Sequence, residues 1–558
     1  MLATLFPVAT FGLIFCYGVD VPRLDDWSLS TILQPGEDGL SWSRLARQHV
    51  ESRPLTSRLV VLALAPFSGF NVRWLMYASF LAACLVSWSL LRLGRTTFPG
   101  ESVRVLWLWA GANALVFGLS QSVTWLHGCH IGTYLVLATL GLGLVVSQSS
   151  GPTRARVGAA IGLATAASFS LGAGWLAWLL LPVVWAQTLR GRSLLLWGSV
   201  WCLAFVSVLG LYLWGFEDRT PGQATALRAP HRALAYALVF LGSPFGKALE
   251  GENLSLFVSA AIGSVLVALA FACGVALLRS NDAERWRRAA PWLCLSLFAM
   301  GCAVLAGIGR LAYGIDSALA PRYAAWSVYL PIGLLFLVPV AFEARRGLLR
   351  VGMLLALVLL FAHGATSWHA LGKRPALRQE QLLMKSVVTF SLVAPEYAHL
   401  KKLFPWPERL QQRAGFLEKR GLLHPPLAAS KRVREIALST EPDPDAGGIE
   451  SFQEQDGGLF VSGWARLPRR NDSAHAVLMC VERPGGEPEI IAVTGVARTN
   501  TSARPPAMAS SHPEFAWSVH LALARLPRGQ GIVTAWAYDA LAGQAIRLPG
   551  KISLRAAP

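Results

Sequence analysis

Two adjacent carboxylates, Asp25 and Asp26, follow an uncharged apolar stretch in the run Asp20-Val-Pro-Arg23-Leu-Asp25-Asp26-Trp27. Ionisable groups are costly at membrane depth, so a pair at the exit of an apolar segment is a functional-site hypothesis by default. In a partly dried cleft a carboxylate takes a proton from a hydroxyl and acts as a general base. The rival reading is structural. Asp is a preferred N-cap residue, and the pair would equally open a surface helix beginning near Trp27. The residues alone leave both readings standing.

A second polar cluster follows, Gln48-His49-Val-Glu51-Ser-Arg53-Pro-Leu-Thr-Ser-Arg58. His, Glu and Arg within a few residues, immediately before re-entry to the membrane, are candidates to face the same crevice as Asp25. His49 and Glu51 are candidates for positioning a substrate or touching a metal, although one His and one Glu are a thin donor set. The alternative is an amphipathic helix whose arginines snorkel to headgroups. Arg310, Arg322 and Tyr323 stand near the ends of later apolar runs. His127 and His130 straddle a loop of small residues and are candidates to line the same cleft, with structural roles as their rival.

No metal centre is read from spacing. Cys129 and Cys480 look isolated, there is no CxxC pair, and the six other cysteines lie in apolar runs where they read as packing residues. No P-loop or strand-borne GxGxxG is present, so nucleotide-driven chemistry is not expected.

The elements that must hold these residues follow from composition. The chain has 558 residues, 54% hydrophobic and 15% charged, with mean hydropathy +0.45; soluble domains carry about 25% charged residues. Apolar runs at 1–18, 73–91, 104–121, 130–148, 157–172, 174–189, 194–215, 254–278, 289–308, 323–342 and 348–365 predict about eleven membrane helices of roughly 20 residues. The longer stretch 59–91 is expected to split at Pro66 into a short surface or re-entrant helix and a span. Residues 233–249 read as another short piece of that kind.

The net charge of +18 comes mostly from arginine, and its placement sets orientation. Arg92, Arg95 and Arg104; Arg154 and Arg156; Arg190 and Arg192; Arg279, Arg285, Arg287 and Arg288; and Arg345, Arg346 and Arg350 fall in alternate loops, which are therefore expected to be cytoplasmic. The loop 19–58 and the tail after 366 then lie outside. Such short basic loops imply a membrane lipid environment and no nucleic-acid partner.

The domains expected are a polytopic membrane domain at 1–366, an extracytoplasmic helical segment at 367–436, a linker at 437–449 and an all-β sandwich at 450–558. Strands are expected around Leu459, Ala476–Val481, Ile490–Val493, Ala516–Leu521 and Ile532–Tyr538, where apolar residues recur in short runs between turn signals. Trp464 reads as a packed core aromatic of that sandwich.

The acidic Asp25-Asp26-Trp27 after the first span and the His49-x-Glu51-x-Arg53-x-x-x-x-Arg58-Leu stretch resemble bacterial integral-membrane proteins of the GT-C glycosyltransferase type. Shorter echoes are Trp125-Leu-His127-Gly-Cys-His130, Ala167-Ser-Phe-Ser170-Leu-Gly172, Leu241-Gly-Ser-Pro244, Arg310 and Pro321-Arg322-Tyr323. The resemblance implies a bacterial inner-membrane enzyme that moves a sugar from a polyprenyl-phosphate donor to an envelope glycan or lipid acceptor on the outer face. It assigns the base to Asp25 or Asp26, and makes Arg53, Arg58, Arg310 and Arg322, with Tyr323, candidates for the lipid phosphate, since a guanidinium engages two phosphate oxygens at once. It implies no fixed cofactor and leaves room for a divalent metal. Two other functions compete: a transporter or flippase for a lipid-linked glycan, and a non-catalytic scaffold binding envelope glycans.

Overall fold

In a bilayer every backbone amide must be satisfied inside its own segment, which leaves long apolar runs one solution, the helix. The computed structural model describes residues 2–34, 41–217, 223–247, 249, 251–343, 345–455, 457–496, 511–526 and 530–554, and it is mostly helical with a β-sheet region at the carboxyl end. Among the described residues eight helices are long and apolar enough to cross a membrane: Val72–Thr97, Ser102–Trp125, Gly128–Gln148, Gly191–Leu213, Glu252–Ser280, Ala283–Tyr313, Pro321–Ala341 and Arg346–Gly372. Three further expected spans are helical but short. Leu2–Tyr17 and Thr153–Ser168 have 16 residues each and Leu176–Trp185 has 10. The stretch around Pro66 divides into the helices Leu55–Ser68 and Val72–Thr97, with Gly69 (φ 58°) and Phe70 (φ 52°) turning the chain between them.

The chain forms two units. The first comprises 1–18, 35–63 and 73–373; the second comprises 19–34, 64–72 and 374–558. In the first, helix Pro321–Ala341 is central, with 89% of its apolar window buried, whereas Gly191–Leu213 and Arg346–Gly372 bury only 6% and 11% of theirs. Leu195, Leu203, Leu354 and Phe361 on those two helices face outward. Apolar side chains left exposed along whole helices suit a lipid solvent and fit a multi-pass membrane protein.

Lipid gives little hydrophobic drive between helices, so close packing has to come from small residues. Helix Pro230–Gly246 shows this against Glu252–Ser280. A methyl group on Gly242 would sit 1.9 Å from the Ser259 carbonyl oxygen, and one on Gly263 would sit 2.0 Å from that of Leu238. Gly263→Ala must push the two backbones apart. It is expected to cost about 1–3 kcal/mol, read as a lower melting temperature of the purified protein in detergent. An unchanged melting temperature would contradict this close approach.

Local sequence also sets the next corner. Asn281 takes the left-handed conformation that ends one helix (φ 47°), and the Asp282 carboxylate caps the next by accepting from the Glu284 and Arg285 amides at 3.0 and 3.1 Å.

The second unit carries helices Arg374–Thr389, Tyr397–Leu403 and Pro407–Lys419 and two β-sheets. One sheet runs Ala437–Ser439, Gln544–Arg547, Gly531–Asp539, Ala476–Glu482, Glu489–Thr494, with Ile552–Leu554 also paired to Gly531–Asp539. In the other, Gly458–Leu467 pairs with Gly447–Gln455, Asp472–Ser473 and Ala516–Ala522. Leu459, Val461 and Trp517 from one sheet share a core with Val477, Met479, Val533 and Ala535 from the other. The opposite face of the first sheet is covered too, Phe390 meeting Tyr538 edge-on with 4.9 Å between ring centroids. Burial on both faces is why 476–481 reads as an unbroken apolar run and does not alternate.

Two expectations change here. The stretch 437–449 is no free linker: Ala437–Ser439 pairs parallel to Gln544–Arg547, and Gly447 to Ile449 already belong to a strand. Trp464 is not in the core between the sheets, where Trp517 is the buried tryptophan. It is half-buried, with the His512 ring 4.2 Å from its own.

Candidate functional site

The two aspartates belong to the second unit and have parted company. The short helix Asp25–Leu29 begins at them, and its N-cap residue is Leu24, so neither carboxylate is the N-cap. Asp26 is 1% exposed. Its Oδ2 accepts from the Arg23 amide at 3.0 Å while its own amide donates to the Arg23 carbonyl at 2.9 Å, closing the turn that starts the helix. Asp25 is exposed.

The backbone beside them is strained. Leu24 has φ 46° and ψ −111°, a region that a residue with a Cβ rarely enters. Surrounding bonds hold it there. The Leu24 amide donates to the Leu403 carbonyl at 2.6 Å, and Arg413 donates to the carbonyl of the fully buried Trp27 at 2.8 Å. Asp20 is absorbed by structure: it accepts from the Val72 amide at 3.0 Å, and its carbonyl accepts from Lys385 Nζ at 2.9 Å.

The 48–58 cluster belongs to the first unit, where it forms no continuous amphipathic helix. His49 and Ser52 exchange backbone hydrogen bonds at 2.7 and 2.9 Å around a tight turn. Val50 in that turn has φ 50°. Gln48 clamps Glu217, its amide nitrogen donating to the carbonyl at 2.7 Å and its amide oxygen accepting from the nitrogen at 2.9 Å. Positive φ at an exposed β-branched residue costs about 1–3 kcal/mol. Val50→Gly is therefore expected to raise stability by about 0.5–1 kcal/mol, after allowing for the extra freedom glycine gives the unfolded chain. Thermal unfolding checks this, and a lower melting point would refute the strain.

Arg53 and Arg58, expected to bind phosphate, are taken up by the protein itself. Arg53 is buried and donates from Nε to the Tyr212 carbonyl (2.7 Å), from Nη1 to Ala46 (2.7 Å) and from Nη2 to Trp214 (2.5 Å). Tyr212 and Trp214 lie at the carboxyl end of helix Gly191–Leu213, whose last carbonyls have no partner within the helix. Arg53 is thus the cap of that helix. Arg58, also buried, donates from Nη1 to the Leu45 and Arg47 carbonyls at 2.7 and 2.6 Å.

What the turn offers outward is Glu51, which forms an ion pair with Arg310 at the end of helix Ala283–Arg310; both side chains are part-exposed. Arg310 also lies within electrostatic reach of Tyr323. Arg322 is exposed, with its guanidinium 4.9 Å over the Tyr323 ring and Nη2 donating to the Tyr323 hydroxyl at 3.3 Å. Beneath them Tyr236, fully buried, accepts from Ser317 Oγ at 3.3 Å. Three residues expected from sequence, Arg310, Arg322 and Tyr323, are therefore brought together with Glu51. Two arginines beside a tyrosine hydroxyl are chemically suited to an anionic oxygen cluster.

Ser170, Gly172 and Gly132 pack against residues 52–57. Ser52 Oγ accepts from the Gly172 amide at 3.1 Å, and Thr56 Oγ1 lies 2.6 Å from Ser170 Oγ. A methyl group on Gly132 would meet Ser57 Oγ at 3.0 Å and the Ser170 carbonyl at 3.1 Å. Just before Gly132 stand His127 and His130, and between them Cys129. Their donor atoms all lie within 4.8 Å of one another. Cys129 is the site residue that spacing missed. An extended His127 followed by the 3₁₀ turn Gly128–His130 brings the three side chains together, which fixed pattern rules for zinc do not anticipate. No family model, curated protein or solved structure matches the chain.

Proposed function

We propose that this chain is a membrane glycosyltransferase of GT-C type, moving a sugar from a polyprenyl-phosphate donor to an envelope glycan or lipid acceptor outside a bacterial cytoplasmic membrane. Asp25 is the base. Its carboxylate takes the proton of the acceptor hydroxyl, the oxygen attacks the anomeric carbon, and the bond from that carbon to the phosphate oxygen breaks with inversion. The leaving lipid phosphate carries the electron pair away, and cationic groups stabilise it. Within the first unit, Arg322 and Arg310 with Tyr323 form a cationic cluster suited to a lipid phosphate, and Glu51 pairs with Arg310. His49, His127 and His130 carry no role in this step.

The observation that carries the reading is the division between the two carboxylates. Asp26 is buried in its own turn, while Asp25 is exposed beside a residue held in a strained conformation, and such strain gathers at functional sites. The eight long helices and three short ones would together make about eleven crossings, the short ones by local thinning of the bilayer. In this reading the β-sheet region and its neighbouring helices lie outside, the side that the arginine pattern supports.

The test is a producing strain lacking the native copy, complemented with the wild type, Asp25→Asn or Asp26→Asn, with surface glycan and donor consumption measured at matched protein levels. Loss of both readouts in Asp25→Asn is expected. Normal glycan from both variants would remove the catalytic assignment and leave a scaffold. Glycan export without donor consumption by the wild type would make the protein a transporter.

A further inference from the structure

We infer that His127, Cys129 and His130 form a binding site for a first-row transition-metal ion, zinc above all, with one coordination position left open. The inference is independent of sugar transfer.

The geometry is local and follows from backbone shape. His127 is extended (φ −130°, ψ 124°) and the next three residues form a 3₁₀ turn. The extended residue followed by the tight turn leaves the two imidazoles 5.6 Å apart between ring centroids and tilted by 48°. Gly128 makes this approach easy by adding no side chain between them. Cys129 enters the same space, and the three donor atoms lie within 4.8 Å of one another. Ligand atoms around a tetrahedral zinc are roughly 3.3–3.8 Å apart, given bonds of about 2.0–2.3 Å. Drawing the donors together by about an ångström requires side-chain rotation and no refolding.

The donor chemistry narrows the occupant. Two imidazoles and a thiolate are borderline-to-soft ligands, suited to zinc, cobalt or copper and unsuited to magnesium or calcium, which take oxygen. Three protein ligands leave a fourth position, the arrangement of zinc sites that bind water or an anionic oxygen. Among the described residues no other three such side chains converge. Cys16 and Cys202 are exposed thiols and Cys129 is half-buried, but neither of the first two belongs to such a group.

The test uses the full-length chain purified in detergent, stripped with chelator and titrated with Co²⁺, then competed with Zn²⁺. A sulfur-to-cobalt charge-transfer absorption is expected at a stoichiometry of about one ion per chain, and zinc should abolish it. Cys129→Ser should eliminate that absorption. His127→Ala and His130→Ala should each weaken binding by more than the ~10–100-fold that loss of an outer-shell partner costs. Size-exclusion chromatography and melting of each variant separate lost binding from lost fold. Absence of cobalt absorption in the folded wild type overturns the inference. So does absorption that survives in Cys129→Ser, since the ion would then sit on another thiol.

Discussion

On the proposed function, Asp25→Asn is expected to lower the rate of sugar transfer by about 10²–10⁴-fold, the usual contribution of a positioned general base. In barrier height that is about 3–5 kcal/mol. Asparagine preserves the size of the side chain but cannot accept a proton, so the loss should fall on kcat with KM nearly unchanged, the pattern of an interaction made only in the transition state. Asp26→Asn should behave differently. Its amide oxygen can still accept from the Arg23 amide, so transfer persists and stability falls little. Asp26→Ala removes that acceptor from a buried turn and should cost about 1–3 kcal/mol of stability. The decisive measurement is the pair of initial rates at equal protein. If Asp26→Asn abolished transfer while Asp25→Asn retained it, the roles of the two carboxylates would be exchanged.

The separation of those two residues shows where sequence stops informing. That a carboxylate pair follows the first apolar run is visible at once, because the cost of charge near lipid makes it stand out. Which member is buried depends on Leu24 adopting a backbone conformation that nothing in its side chain announces; it is enforced by Leu403, nearly four hundred residues later. The long helices and strands were legible for the opposite reason. Their signal is local: about 20 apolar residues in lipid, or short β-branched runs such as Ile490–Val493 between turns. Helix length was less legible at Leu176–Trp185, where flanking 3₁₀ turns at Gly172–Trp175 and Ala186–Thr188 occupy residues that hydropathy counts as span. Trp464 misled because size and apolarity do not say which side of a strand faces the core; Trp517, opposite Gly463 in the register, took that place.

Arginine was the least legible residue type, and Arg53 supplies the sharpest test of why. A guanidinium has five donors and binds phosphate oxygens or backbone carbonyls equally well, so sequence near a membrane face cannot distinguish ligand-binding from capping. Here the three nitrogens are spread over carbonyls of Ala46, Tyr212 and Trp214, tying the first loop to the end of a helix about 160 residues away in the chain. Arg53→Ala is expected to destabilise the protein by about 3–5 kcal/mol, since three buried acceptors lose charge-assisted partners at once. Arg53→Lys should rescue little of this, because a single ammonium on a flexible stem cannot span three divergent carbonyls. The readouts are the amount of folded protein in the membrane and its melting temperature in detergent. A phosphate-binding arginine would behave in the opposite way: its alanine variant would accumulate and melt normally, and only transfer would fall. Arg322→Ala, exposed and resting on Tyr323, is the matched control and should show that second pattern.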